Sequence, residues 1–209
     1  MRGADGTGVS ATDFWQENQV GGPYETYEQS VAALLERAEK YPLLRELMPT
    51  SFPGKTILDF GCGPGHDTIQ LLNAGARHVY FADVSWQALS TTNDRLKMHG
   101  LRSEATPLFA DDPLPAVDHV HCAGVLHHMH DPEDALLRLR RCAPSARFMV
   151  YDGKKSEHSQ SLVPITEWWT PKEFISMCDD AGWEAVYVGS YECSASWRPN
   201  CWAACFSAT

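Results

Sequence analysis

Short apolar runs bounded by turn residues recur from the middle of the chain to its end, at Thr56–Phe60, His78–Ala82, Ala105–Phe109, Asp118–Ala123, Ala146–Tyr151, Ala185–Tyr191 and Cys201–Ser207. Their length and their β-branched and aromatic content predict strands. Stretches with apolar residues at helical spacing separate most of them: His66–Asn73, Trp86–His99, Pro132–Cys142 and Pro171–Ala181. Strand and helix in alternation predict a parallel sheet with crossover helices. Only the last two strands lack a helix between them, and the turn-rich Ser194–Asn200 suits an antiparallel hairpin there. Upstream, Val31, Leu34, Leu35 and Ala38, then Leu43, Leu44 and Leu47, predict one or two amphipathic helices interrupted at Pro42.

Punctuation supports the helix boundaries. Thr170-Pro171-Lys172-Glu173 reads as a capping box with proline at the first helical position, and Gly182 as the stop. Asp131-Pro132 opens the preceding helix in the same way. The organisation expected is a tail and helical cap over residues 1–50, then one α/β domain over 51–209 carrying a doubly wound, seven-stranded, mostly parallel sheet.

Composition narrows the partners. A formal net charge of −10 argues on average against phosphate backbones and anionic lipid, so neither nucleic acid nor a membrane is expected as a partner. Neither a secretory apolar run near the start nor a membrane-length segment is seen, which points to the cytoplasm. Seven cysteines are scattered without a CxxC pair, so neither a disulfide framework nor a structural zinc site is expected.

The chemistry concentrates between two strands and a helix. Ile57-Leu58-Asp59-Phe60-Gly61-Cys62-Gly63-Pro64-Gly65 joins a buried strand to a helix through alternate glycines, a turn that lets backbone approach a ligand closely. Asp83 ends the second strand, about 18 positions beyond Gly65, where a carboxylate can accept from both hydroxyls of a ribose. The spacing Gly-x-Gly-x-Gly lacks the extra residue that seats a pyrophosphate on helix amides, which disfavours a dinucleotide dehydrogenase.

With Gly124-Val125-Leu126-His127-His128-Met129 after the fourth strand, the segment from about Lys55 to Asp152 resembles the class I S-adenosylmethionine (SAM)-dependent methyltransferases, in a subgroup with a Val-Leu-His-His element. The resemblance implies a Rossmann-like methyltransferase fold and SAM as cofactor. It implies that Gly61, Cys62, Gly63, Pro64 and Gly65 line the cofactor, that Asp59 holds the methionine amino end, and that Asp83 with Val84 meets the ribose. Asp111 or Asp112 would contact adenine. Backbone around Ala123 and Gly124 would line the same pocket, with Tyr24 and Tyr27 covering it from the cap.

The reaction implied is in-line transfer of a methyl group to N, O or C of a small-molecule acceptor. His128 or His158 is the candidate base, with His127, Trp168 and Trp169 on the acceptor side and no metal. The connection from Gly153 to Trp169 should form a lid. The alternatives are a SAM-binding scaffold without turnover, or a methyltransferase acting on protein.

Overall fold

The computed structural model describes residues 11–18, 20–40, 52–151, 167, 169–191 and 201–208. The cap contributes α1 (Ala11–Glu17) and α2 (Tyr27–Lys40). The α/β part follows as β1 (Thr56–Phe60), α3 (His66–Asn73), β2 (His78–Asp83), α4 (Trp86–Met98), β3 (Ala105–Phe109), β4 (His119–Ala123), α5 (Pro132–Cys142) and β5 (Ser145–Tyr151). It closes with α6 (Pro171–Asp180), β6 (Trp183–Tyr191) and β7 (Cys201–Ala208).

The strands form one sheet in the order β3-β2-β1-β4-β5-β7-β6. Pairings from β3 to β5 are parallel, and β7 runs antiparallel to both β5 and β6. The order reverses between β1 and β4, so the crevice for a ligand lies beyond the carboxyl ends of those two strands.

Each face of the sheet buries one apolar layer. Ile57, Val79 and Phe81 point to Ile69, Leu72, Leu89 and Leu96 of α3 and α4. Leu58, Val120, Cys122 and Phe148 point to Leu136 and Leu139 of α5 and to Phe174 and Cys178 of α6. Alternation along β1 sends Ile57 to one layer and Leu58 to the other, as the period of two requires. Trp183 is fully buried, its indole N–H donating to the Leu136 carbonyl at 3.2 Å.

The helix ends form as the residues dictate. Thr170 and Glu173 make both halves of the capping box, and the Asp131 carboxylate accepts from the Asp134 amide at 2.9 Å. Gly182 takes a left-handed φ of 81° after α6. The cap of α4 is Ser85, whose hydroxyl accepts from the Ala88 amide, so Asp83 is not spent on capping. One helix, α1, lies in a stretch that carries no long apolar period; seven residues give only two turns, too few for periodicity to show. Cys62, Cys122, Cys142 and Cys178 are buried free thiols. Among the described residues no helix is long and apolar enough to cross a membrane.

Candidate functional site

A cavity of about 620 Å³ opens at the carboxyl ends of β1, β2 and β4, within the range of small-ligand and cofactor sites. Its floor is the loop Gly61-Cys62-Gly63-Pro64, and its sides include Asp83, Val84, Asp111, Ala123, Gly124 and His128. Thr12, Trp15, Gly21 and Tyr24 reach over it from the cap.

The glycines of the loop serve different ends. At Gly63 (φ 51°) an added Cβ would meet no protein atom within 4 Å, so the residue faces open cavity. At Gly65 (φ 78°) a Cβ would come within 2.7 Å of the Thr92 side chain. Gly65 therefore lets α3 and α4 pack, and it is not on the cavity wall. Gly61 is pressed in the same way, against Val125.

Asp83 is held by the loop that it faces. One carboxylate oxygen accepts from the Gly63 amide and the other from the Ser85 amide, each at 2.9 Å. Burial pushes its pKa up, while N–H groups of Ser85, Gly63 and Val84 pull against that. A buried carboxylate with further lone pairs on a cavity wall fits a ligand rich in hydroxyl donors. Beside it, Asp111 is on the wall, whereas Asp112 turns back to accept from the Phe109 amide at 3.2 Å. Arg138 braces this turn by donating to the carbonyls on either side of Asp111, those of Ala110 at 2.9 Å and Asp112 at 3.3 Å.

Several expected residues lie elsewhere. Asp59 is buried beneath the loop, where its carboxylate accepts from the Thr68 hydroxyl at 2.5 Å; it does not reach the cavity. Burial above all raises its pKa to about 6. The neighbouring acid, Asp67, is on the wall and is gripped by both Nε and Nη2 of Arg37, with His121 Nε2 at 3.1 Å. Burial would raise its pKa, but the charge and hydrogen bonds of Arg37 and the hydrogen bond from His121 overcome this and hold it well below the usual carboxylate range.

Tyr27 is half exposed and packs on His99, away from the cavity. Trp169 packs on Phe174 in the core and takes no part in the wall. His127 is fully buried, and burial, with His128 adding to it, drives its pKa well down, which makes it a neutral structural residue. His128 does line the cavity, its ring 5.1 Å from that of Trp15. His158 and Trp168, with most of the expected lid, lie outside the described residues.

The cap's grip was not legible in the sequence. The Gln16 side chain donates to the Val84 carbonyl at 2.7 Å and accepts from the Trp86 amide at 3.2 Å, tying α1 to the end of β2. Trp15 beside it reaches His128, so this short helix spans the cavity.

A family model described as a methyltransferase domain matches residues 58–145. A tRNA U34 carboxymethyltransferase of Pseudomonas aeruginosa (strain LESB58) is 32% identical over 118 residues, 54% of this chain and 37% of that protein. One from Shewanella sediminis is 35% identical over 129 residues, 60% of this chain and 38% of that protein. The chain thus spans under two fifths of the length of these curated relatives. Among solved structures, magnesium protoporphyrin IX methyltransferase from Synechocystis, with bound SAH, superposes with a TM-score of 0.67 at 18% identity, covering 94% of each chain.

Residues 58–145 thus match a methyltransferase domain, and the chain shares the fold of a solved methyltransferase that holds SAH. The curated relatives correct one expectation. Enzymes named for tRNA overturn the exclusion of nucleic acid and, with it, the expectation of a small-molecule acceptor. Net charge is an average over the whole surface and leaves a local contact with RNA open.

Proposed function

We propose that this chain transfers a methyl group from SAM, bound in the cavity above the glycine loop, to an acceptor that approaches past His128 and Trp15. The observation that carries the reading is the pairing of Asp83 with Gly63 on one wall: a buried carboxylate beside a backbone position whose side-chain space is empty. SAM supplies an activated methyl carbon bonded to a sulfonium. The residues do the rest. Asp83 would accept from the ribose hydroxyls and Asp111 would meet the adenine edge, while backbone of Gly61, Ala123 and Gly124 lines the methionine end.

His128 is the residue best placed to take a proton from the acceptor, because it is on the wall while His127 is sealed in the core. The packing of Trp15 on its ring limits its rotamers, which favours one orientation toward the acceptor. For the acceptor, the relatives' names carry tRNA as the class to offer first.

The test is transfer of label from methyl-labelled SAM to a tRNA pool, followed by a whole-cell extract. Label in an acceptor fraction, reduced at least about tenfold by His128→Ala, is the expected result. A chain that binds SAM yet labels nothing in either would be a binding scaffold.

A further inference from the structure

Behind the cavity wall sits a buried cation to which the methyl-transfer reading gives no role. Arg95, on the inward face of α4, is 1% exposed, a burial rare for arginine unless its donors are matched. Nε donates to the Ser30 hydroxyl at 2.8 Å and Nη2 to the Ser30 carbonyl at 3.0 Å, both in α2 of the cap. Nη1 donates to the Pro64 carbonyl of the glycine loop at 2.6 Å and faces His66 Nδ1 at 3.2 Å. The guanidinium also lies 4.2 Å from the centre of the Tyr24 ring. Among the described residues none of these partners is a carboxylate, so the charge is met by carbonyls, a hydroxyl, an imidazole and an aromatic face.

The contact with His66 has a consequence for the cavity. A guanidinium nitrogen can only donate, so Nδ1 of His66 must accept and carry no proton. The proton of the neutral ring is then on Nε2, which faces the Tyr24 hydroxyl at 3.3 Å. With that tautomer Tyr24 accepts there, which would leave its O–H to donate into the cavity that Tyr24 and His66 both line. Burial lowers the Arg95 pKa to about 10, which still leaves it charged at neutral pH.

We propose that Arg95 is a positioning residue of the cofactor site: it clamps the cap to the glycine loop and, by fixing the His66 tautomer, aims the Tyr24 hydroxyl as a donor into the cavity. This rests on the cavity being the SAM site. It makes cap and loop one binding unit, with Ser30 and Tyr24 on the cap side and Pro64 on the loop side of a single guanidinium.

Two measurements on the full chain test it. SAM titrations of Arg95→Lys, Tyr24→Phe and the double variant form a cycle. The expected result is a tenfold or greater loss for Arg95→Lys and a double variant no weaker than Arg95→Lys alone, because the hydroxyl acts through the relay. Losses that multiply, or a folded Arg95→Lys that binds SAM as the wild type does, would overturn the proposal. Nitrogen-15 NMR of the wild-type histidines needs no variant to fold: His66 is expected as the Nε2–H tautomer at pH 7, and an Nδ1–H tautomer or an imidazolium would equally overturn it. A wild type that shows this tautomer but does not bind SAM would instead refute the assignment of the cavity.

Discussion

Asp83→Ala is expected to weaken SAM binding about a hundredfold or more, with the chain still folded. The carboxylate would accept from two ribose hydroxyls, and a hydrogen bond to a charged group contributes roughly 1.5–3 kcal/mol, so losing two removes at least about 3 kcal/mol. Stability should also fall, but by less, because burial already disfavours ionised Asp83 and offsets part of the lost contacts. What it loses in the fold is the pair of amide contacts to Gly63 and Ser85. Asp83→Asn keeps the shape and one acceptor and should fall between the two. Calorimetric titration beside thermal melts separates the outcomes: near-normal affinity in folded Asp83→Ala would place the ribose elsewhere.

The second large effect divides two glycines of one loop. Gly65→Ala should lower stability by roughly 2–5 kcal/mol, combining left-handed strain of about 1–2 kcal/mol with an overpacking cost of about 1–3 kcal/mol. Its new methyl meets Thr92, which is fully buried and already donates to the Gly63 carbonyl at 2.9 Å. Gly63→Ala bears only the strain, since no protein atom stands within 4 Å of its Cβ. It should unfold within about 2 kcal/mol of the wild type yet bind SAM at least about tenfold more weakly, because the methyl projects where the ligand would lie. Urea melts and SAM titrations of both variants check this. A Gly63→Ala chain with unchanged affinity, or a Gly65→Ala chain as stable as the wild type, would contradict the division.

These glycines also show what the sequence could and could not say. Alternate glycines between a strand and a helix announced close approach, but not that Gly63 faces the cavity while Gly61 and Gly65 face Val125 and Thr92. Local punctuation was legible because its partners are three residues apart: Thr170 with Glu173, Asp131 with Asp134. That Asp83 lines the cavity follows from its place at a strand end; that it meets a ribose is still a proposal.

The errors fall where a side chain's direction depends on distant packing. Asp59 was expected at the ligand and instead meets Thr68 one turn into the next helix; Trp169 was expected at the acceptor and instead packs on Phe174. Tyr27, in the first turn of α2, turns to His99. Gln16 and Arg95 were missed altogether, since their partners lie 65 to 70 positions away or across the loop and no period or motif encodes them. A charge of −10 argues on average against nucleic acid, yet relatives named for tRNA align over more than half the chain.

The cavity over Gly63 and Asp83 is proposed as a SAM site. Calorimetric titration of the purified chain with SAM tests it most directly, with SAH as competitor and NAD as control. One SAM per chain, displaced by SAH and lost in Asp83→Ala, is the predicted result. No heat with SAM, or binding of NAD in its place, would contradict it.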